Sequence, residues 1–374
     1  MQISKKSFQD FKIPNEQSYD TWNFYANHHD LGASINSDST DYVINTNPLV
    51  SILMTTYNRQ DYVIECIKSI LRQSYKKCSS AISLQGREKS VRKSSIRALL
   101  GGSLFMDVDS APLYKRIRDF YGQVSDNAFV IGSNFGPVYN QPMIQWYKKV
   151  FQNFDFVTWR DTTSEKKELI DARKQTTLPD VVLGLNVDNV ATIDGQFVLF
   201  NLMNIGDVTE NTDTINESLK SVVFNIKLLV SQGERVKLVS IDKDGNDKKF
   251  VSRVKREFFS NVDQVTVAEY IEVDQVLSLF KSSKAVVATR YHSLILAWLF
   301  EKPVVSIAYS DKTTNFINTW YPQQKVITLD ELSEKMDLGV MQETAIPVEK
   351  LTFLKTQAKK HFDSLGAALN REMG

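Results

Sequence analysis

Apolar residues recur along this chain with two different spacings. From about residue 98 to about residue 325, short apolar runs alternate with stretches in which apolar residues recur at helical spacing. This alternation is typical of parallel β-sheets covered by helices. It predicts eight strands, at residues 128–131, 154–159, 181–185, 197–202, 236–241, 264–268, 285–289 and 304–308.

A polar stretch at residues 188–195 divides this pattern into two parts. The second part holds five of the predicted strands, enough for a complete doubly wound domain, whereas the first part holds fewer. We therefore expect an α/β fold with two Rossmann-like domains built on parallel sheets, at residues 98–190 and 191–345. The completeness of the first domain stays open. A C-terminal segment, residues 346–374, is predicted to be a final helix.

Residues 1–97 have a different character. Residues 1–48 are polar and lack a sustained period, which is typical of loops with short irregular pieces. An apolar run at residues 49–56 predicts a buried strand, and the helical spacing at residues 62–73 predicts a helix after it. Residues 76–97 are rich in Lys, Arg and Ser, which favours a solvated linker over a phosphate-binding patch.

Composition narrows the class of protein. A length of 374 residues with 42% apolar content fits two domains with hydrophobic cores. Lys and Arg total 45 against 44 acidic residues, so nucleic acid is not expected as a partner and any anionic ligand must be held locally. Two cysteines without metal-type spacing fit a reducing compartment. With no signal-peptide core and no apolar stretch of membrane-spanning length, we expect a soluble cytoplasmic protein.

The strongest chemical candidate follows the predicted strand at residues 285–289. Arg290 and His292 lie where this strand ends and an apolar helix begins, a position at which open parallel sheets bind ligands. An Arg side chain can donate two parallel hydrogen bonds to a carboxylate or phosphate. A His side chain can exchange a proton near neutrality. A second interpretation stays open, in which Arg290 forms a salt bridge and His292 caps the helix.

Five separate motifs occur in a fixed order along the chain. The last runs Arg290-Tyr291-His292-Ser293, an apolar helix, and a Pro-led strand that ends at Tyr309 and is followed by Lys312. The earlier four are Gly101-Gly102-Ser103, Ile131-Gly132-Ser133-Asn134-Phe135-Gly136-Pro137, Val157-Thr158-Trp159-Arg160-Asp161 with Ser164, and Leu178-Pro179-Asp180. Together they resemble the polysaccharide pyruvyl transferase family over roughly residues 98–325, and the order is more specific than any single motif.

This resemblance carries expectations about activity and partners. The family transfers pyruvate from phosphoenolpyruvate to two hydroxyls of one sugar, forming a cyclic ketal and releasing phosphate. The acceptor is a glycan or a lipid-linked oligosaccharide, usually in exopolysaccharide or capsule biosynthesis. The resemblance implies two Rossmann-like domains in the GT-B arrangement of many glycosyltransferases. It implies no cofactor, with phosphoenolpyruvate as donor substrate, no membrane span, and peripheral membrane contact where the acceptor is lipid-linked.

The resemblance also assigns roles to residues. Phosphoenolpyruvate carries a carboxylate and a phosphate, so Arg290, Lys312 and Arg160 are expected to supply cationic groups. Arg160 is equally compatible with a plain surface arginine. His292 is the candidate for proton transfer, as an acid, a base or a donor to the leaving phosphate. The remaining predicted substrate-binding residues are Gly132, Ser133, Asn134, Tyr291 and Ser293.

Two acidic motifs resemble metal sites but are interpreted otherwise. Asp107-Val108-Asp109 has the spacing with which glycosyltransferases hold a metal, yet such a triplet arises easily by chance. Residues 242–247 contain three Asp and a Gly but lack the spacing and terminal Glu of a calcium-binding EF-hand. They are interpreted as an ordinary turn, and no metal site is predicted.

The N-terminal part departs from this family. Residues 48–75 resemble the opening of a family 2 glycosyltransferase, but the second strand and acidic pair of that family do not follow. The first strand and glycine-containing loop of a pyruvyl transferase are not recognisable either. Three interpretations therefore stay open: an active pyruvyl transferase, a glycosyltransferase that uses a nucleotide sugar, and a rearranged, non-catalytic product.

Overall fold

The computed structural model describes residues 50–54, 78–82, 96–107, 121, 128–165, 169–241, 245–268 and 273–373. The described residues form two six-stranded sheets whose paired strands are all parallel, with helices in the connections. The helix predicted at residues 62–73 lies outside them. No helix in the described part of the chain is long and apolar enough to cross a membrane.

The first sheet takes its strands from residues 50 to 177. They are β1 (Val50–Met54), β2 (Cys78–Ile82), β3 (Ile96–Leu100), β4 (Ala128–Ser133), β5 (Phe154–Trp159) and β6 (Gln175–Thr177), in the order β2-β1-β3-β4-β5-β6. This is a doubly wound order with the reversal between β1 and β3. The strand predicted at residues 49–56 is present as β1. The segment interpreted as a linker, residues 76–97, contains β2 and the first residues of β3.

Aromatic side chains fill the core beside this sheet. Helix α1 (Gln141–Gln152) connects β4 to β5 and begins where Asn140 Oδ1 accepts a hydrogen bond from the Met143 backbone at 3.2 Å. Its buried face packs on Phe105, whose ring centroid lies 4.8 Å from that of Phe151. Helical spacing of large apolar residues therefore turns one side of α1 onto the sheet.

The second sheet has the Rossmann strand order. Its strands are β7 (Phe197–Asn201), β8 (Arg235–Val239), β9 (Val265–Ala268), β10 (Ala285–Ala288), β11 (Val304–Ala308) and β12 (Val326–Thr328), in the order β12-β11-β10-β7-β8-β9. The intervening helices are α2 (Thr212–Ser231), α3 (Asn246–Phe258), α4 (Val273–Ser282), α5 (Tyr291–Leu299) and α6 (Asp311–Trp320). The strand order reverses between β7 and β10, and ligands of such sheets bind at this switch point.

Two sequence predictions are corrected by the structure. The apolar run at residues 181–185 is a 3₁₀-helix, Val181–Gly184, because Asp180 caps it by accepting a hydrogen bond from Val182 N at 3.0 Å. The final helix is divided into α7 (Val348–Lys359) and α8 (Asp363–Met373) by a 3₁₀ turn. Helix α7 packs against the 181–184 helix, so the C-terminal segment returns to the first half of the chain.

Candidate active site

The switch point of the second sheet is organised by Asn201, the last residue of β7. Its buried Oδ1 accepts hydrogen bonds from Arg290 N at 3.0 Å and from Ser293 Oγ at 2.7 Å. Its backbone oxygen also accepts the Thr289 hydroxyl at 2.9 Å. The neighbouring strand thus fixes the first turn of α5. Ser293 is fully buried, and its hydroxyl is used inside the protein for this purpose.

Arg290 is held from one side by a buried carboxylate. Its Nε and Nη2 lie 2.8 and 2.6 Å from Asp247 Oδ2, and Asp247 Oδ1 accepts a hydrogen bond from Asn204 N at 2.9 Å. Asp247 is 0% exposed, whereas the Arg290 side chain is 25% exposed. The segment interpreted as an ordinary turn therefore supplies the residue that orients Arg290. Nε and Nη2, the two nitrogens on one edge of the guanidinium, thus both contact the Asp247 carboxylate.

Arg160 lies at the end of β5 and is 3% exposed. Its Nη1 donates to Asp180 Oδ2 at 3.0 Å, and its Nη2 donates to Asn134 Oδ1. Its guanidinium carbon lies 4.8 Å from the centre of the Tyr291 ring. Within the described residues, Arg160 Nε is buried without an acceptor. This arginine is therefore a central buried cation and not the plain surface residue that the sequence also allowed.

Tyr291 connects the two sheets. It is the first residue of α5, is buried, and donates its hydroxyl to Asp180 Oδ2 at 3.2 Å. Burial raises the pKa of Tyr291 well above its usual value, and the Asp180 carboxylate raises it further. The phenol therefore stays protonated and acts as a hydrogen-bond donor.

The turn after β4 holds Arg160 through a hydrogen bond to Asn134. Ser133 is fully buried and donates to the Gly102 carbonyl at 3.0 Å, while Asn134 Oδ1 also accepts the Ser103 hydroxyl at 2.9 Å. These side chains connect the Gly101-Gly102 turn with the arginine. The structure therefore brings Ser133 and Asn134 next to Arg160, where their polar atoms are engaged within the protein.

Gly132 is required by packing as well as by backbone conformation. Its φ angle is +67°, in the left-handed region that favours glycine. A Cβ at this position would lie 2.8 Å from Val181 Cγ1 and 3.6 Å from His361 Cε1. The space that the missing side chain leaves is thus filled by the 3₁₀-helix and by the C-terminal segment.

His292 follows Tyr291 and is accessible to solvent, although protein surrounds it on most sides. Its ring lies 5.2 Å from the Tyr291 ring. Burial lowers the pKa of His292 below its usual value; the Asp180 carboxylate opposes this shift, and the cations Arg160 and Lys312 add to it. The imidazole is therefore neutral at pH 7 and can accept a proton.

Lys312 lies in the first turn of α6. Its Nζ is 5.6 Å from the centre of the Tyr291 ring and 5.8 Å from that of Tyr309. Within the described residues, it forms no ion pair with a carboxylate. We refer to Arg160, Asp180, Tyr291, His292 and Lys312 together as the interdomain site, because the first two come from the first half of the chain and the rest from the second.

Two further contacts tie the halves together beside this site. Trp320, the last residue of α6, donates its Nε1 to the Arg160 carbonyl at 2.7 Å. The hydroxyls of Thr162 and Thr319 lie 3.2 Å apart. The loop that carries Arg160 is therefore fixed to the helix that carries Lys312.

His361 supports the site from the C-terminal segment. It is 1% exposed, and its Nδ1 and Nε2 lie 2.6 Å from Thr158 Oγ1 and 2.7 Å from the Pro179 carbonyl. Sequence analysis gave no signal for His361. It also missed the roles of Asn201 and Asp247; Asp180 appeared there only as part of a motif.

No cluster of three or more metal-ligating side chains occurs in the part of the chain that the structure describes.

Comparison with known protein families gives an extended match. Residues 33–311 match the model of the family described as polysaccharide pyruvyl transferase. The matched region begins well before residue 98 and therefore includes β1 and β2. No curated protein matches the sequence significantly.

Solved structures with a similar fold include several UDP-N-acetylglucosamine 2-epimerases. The enzyme from Methanocaldococcus jannaschii, in complex with UDP-GlcNAc and UDP, has a TM-score of 0.50 at 7% identity, covering 85% of this chain and 99% of that chain. A putative epimerase from Listeria monocytogenes has a TM-score of 0.50 at 11% identity, covering 86% and 94%. At such identities the likeness concerns the fold alone, an α/β fold of two Rossmann-like domains in the GT-B arrangement.

Proposed function

The chain belongs to the polysaccharide pyruvyl transferase family, and we propose that it transfers the pyruvyl group of phosphoenolpyruvate to two hydroxyls of one sugar, forming a cyclic ketal. The acceptor is a glycan or a lipid-linked oligosaccharide in exopolysaccharide or capsule biosynthesis. We place the reaction in the cytoplasm, with peripheral membrane contact where the acceptor is lipid-linked. The family itself supports a transferase with a polysaccharide acceptor.

One observation carries the proposal: two cations lie beside a neutral histidine at the interdomain site. Lys312 Nζ has aromatic rings as its neighbours and no carboxylate among the described residues, so its charge is available to an anion. Arg160 adds a second positive charge, which is paired with Asp180 at 3.0 Å, and its buried Nε has no acceptor among the described residues. An anion with two charged groups, such as phosphoenolpyruvate, suits this arrangement because each group can face a cation.

Arg290 has a supporting role in this proposal. Asp247 occupies its Nε and Nη2, and Tyr309 also hydrogen-bonds the guanidinium, so Nη1 is the part of the fork without a carboxylate partner among the described residues. Arg290 also occupies the N-cap position of α5 without a side-chain capping hydrogen bond, and the free N–H groups of the first turn favour an anion at the same place. We therefore assign Arg290 to the orientation of the donor and His292 to proton transfer.

The reaction needs a defined set of proton movements. Carbon 3 of the enol group gains a proton, which makes carbon 2 electrophilic, and the first sugar hydroxyl adds to carbon 2 and loses its proton. The bond from carbon 2 to the phosphate oxygen then breaks, and phosphate leaves with the bonding electrons. The second hydroxyl adds to carbon 2 and loses its proton. Of the two protons released, one balances that taken up by carbon 3 and the other is taken up by the departing phosphate.

His292 fits the step in which a hydroxyl is deprotonated. Its pKa is lowered by burial and by the two neighbouring cations, so the neutral imidazole predominates at pH 7 and can act as a general base. The imidazolium that forms is stabilised by Asp180. No separate cofactor is required, because phosphoenolpyruvate carries both the electrophilic carbon and the leaving group.

Phosphorus NMR of the full chain with phosphoenolpyruvate and a panel of free and lipid-linked glycans tests the proposal. We expect inorganic phosphate to appear only when a suitable glycan is present, and its formation to stop in His292→Gln. A thermal shift on addition of nucleotide sugars but not of phosphoenolpyruvate would instead support a glycosyltransferase. Absence of any phosphoenolpyruvate binding would overturn the proposal.

A further inference from the structure

Asp180 is the one acidic residue of the interdomain site, and both of its carboxylate oxygens accept hydrogen bonds from other residues of the protein. Its Oδ2 accepts from Arg160 Nη1 at 3.0 Å and from the Tyr291 hydroxyl at 3.2 Å. Its Oδ1 accepts from Val182 N at 3.0 Å. With 2% of its surface exposed and both oxygens engaged, this carboxylate is poorly placed to attack a substrate. It is well placed to fix the side chains of Arg160 and Tyr291, which donate to it.

The two side chains that share Oδ2 come from different sheets. Arg160 follows β5 of the first sheet, and Tyr291 begins α5 beside the second. A single carboxylate oxygen therefore fixes a cation of one domain and a hydroxyl of the other relative to each other. The guanidinium also stacks at 4.8 Å over the Tyr291 ring, so a shift of either side chain would disturb both contacts.

Asp180 also affects the charge balance at His292. The charged groups that act on this imidazole are Asp180, Arg160 and Lys312, and the carboxylate is the only one that favours the protonated form. Burial works to raise the pKa of Asp180, but the charge of Arg160 and the hydrogen bonds from Arg160 and the Val182 backbone act against it, so the pKa is lowered. Asp180 is thus ionised and negatively charged at neutral pH.

We propose that Asp180 is a positioning residue of the transferase, which holds Arg160 and Tyr291 in one arrangement across the two domains and supplies the negative charge that balances a protonated His292. The proposal rests on the proposed function for its catalytic consequence. Its geometric and electrostatic parts concern only residues of this chain.

A purely structural role for Asp180, as the cap of the 181–184 helix, makes a different prediction. Asp180→Asn keeps an oxygen that can accept from Val182 N and has nearly the same volume, but it removes the charge. Asp171→Asn is a matched control. Asp171 also caps a 3₁₀-helix, by accepting from Arg173 N at 2.8 Å, and also pairs with an arginine side chain, but it lies at the exposed surface.

The first experiment is a proton NMR titration of the histidine rings in the full chain. The chain has 4 His, and the resonance of His292 is assigned by its loss in His292→Gln. In Asp180→Asn the titration midpoint of His292 should move to lower pH, because the one charge that favours protonation is gone. In Asp171→Asn it should stay unchanged. An unchanged midpoint in a folded Asp180→Asn protein would overturn the electrostatic part, whatever the enzyme's substrate.

The second experiment measures phosphate release from phosphoenolpyruvate with a glycan acceptor. Asp180→Asn should lower kcat by about 10- to 100-fold, since displacement of Arg160 by a fraction of an ångström misplaces the donor. The acid limb of the pH profile should move to lower pH, in the direction of the NMR shift. Activity equal to that of Asp171→Asn would overturn the positioning role. If the wild-type protein releases no phosphate at all, the proposed function fails while the NMR result still decides the electrostatic part.

If Asp180→Asn does not fold, Tyr291→Phe takes its place, because it removes a single hydroxyl. Amide hydrogen exchange in the first turn of α5 should then become several-fold faster than in the wild type, since the bond across the two domains is lost. Exchange at the wild-type rate would contradict the proposal that Asp180 holds this turn.

Discussion

The imidazole Nε2 of His361 lies 2.7 Å from the carbonyl oxygen of Pro179. Because a carbonyl can only accept, Nε2 carries the proton, and Nδ1 accepts the Thr158 hydroxyl at 2.6 Å. Thr158 in turn accepts the Gly132 backbone N–H at 2.8 Å. A residue of the C-terminal segment is thereby bonded to the residue that precedes Asp180 and to β5, two residues before Arg160.

This contact predicts a pH dependence of stability. Burial lowers the pKa of His361, and the Pro179 hydrogen bond and Asp180 only partly oppose it. The unfolded chain therefore takes up a proton on this residue near its usual pKa of about 6.5, before the folded chain does. Stability should be full above that pH and should fall as the pH decreases below it. In urea unfolding, His361→Gln should show a smaller loss of stability than the wild type between about pH 7.5 and about pH 5.5, because this range brackets the usual His pKa of about 6.5.

His292 is the control for that measurement, because its pKa is lowered as well. His292→Gln should remove its own share of the pH dependence and leave that of His361 intact. An equal pH dependence in wild type and His361→Gln would show that His361 is not the titrating group.

Replacement of Gly132 should lower the free energy of unfolding for two separate reasons, backbone conformation and side-chain packing. Gly132→Ala places a Cβ at φ +67°, which costs about 1–2 kcal/mol, and forces it against Val181, which adds about 1–3 kcal/mol of overpacking. Gly233→Ala is the matched control, with φ +85° and no atom within 4 Å of the added Cβ, so only the first cost applies. Chemical denaturation measures both.

A rescue experiment separates the two terms. Val181→Ala in the Gly132→Ala background removes the atom that the new Cβ meets at 2.8 Å. It should recover much of the overpacking cost and none of the backbone cost. Equal destabilisation by Gly132→Ala and Gly233→Ala would instead mean that the contact is relieved by a small shift.

Much of the fold could be predicted from apolar runs, and the exceptions have physical reasons. The strands at β4, β5, β7, β8, β10 and β11 are buried and apolar enough to stand out. Strands β6 and β12 are three residues long, too short to show a period. The run at Val181–Gly184 is apolar but helical, because an apolar run alone does not distinguish a strand from a short buried helix.

The residues of the candidate site were likewise only partly predictable from the sequence. Arg290 and His292 could be found from their place after a strand, because the end of a parallel strand has a fixed relation to the ligand-binding edge. The acidic residues that bind Arg290 and Tyr291 could not be found in this way. Asp247 lies 43 residues from Arg290, and Asp180 lies 111 residues from Tyr291. The first pairing depends on the strand order of the second sheet, and the second pairing depends on how the two sheets face each other. Local sequence spacing predicts neither.

Lys312 should determine the affinity for the donor. Lys312→Met keeps most of the side-chain volume and removes the charge, so the KM for phosphoenolpyruvate should rise about 10- to 100-fold, as expected for loss of a charged hydrogen bond of about 1.5–3 kcal/mol. Lys227→Met on the exposed face of α2 is the control and should leave KM unchanged. An unchanged KM in Lys312→Met would remove this lysine from the donor site.

The pairing of Asp247 with Arg290 should appear as a coupling energy. Asp247 is fully buried, so Asp247→Ala leaves a partly buried arginine without its partner and Arg290→Ala leaves a buried carboxylate without its counter-charge. A double-mutant cycle on urea unfolding should give about 1–3 kcal/mol of interaction, because each single change already removes most of what the pair contributes. The same cycle on Asp171 and Arg173, a pair whose side chains are 43% and 89% exposed, should give no measurable coupling. Equal results for the two pairs would mean that solvent screens Arg290 as fully as a surface residue, and that Asp247 does not set its orientation.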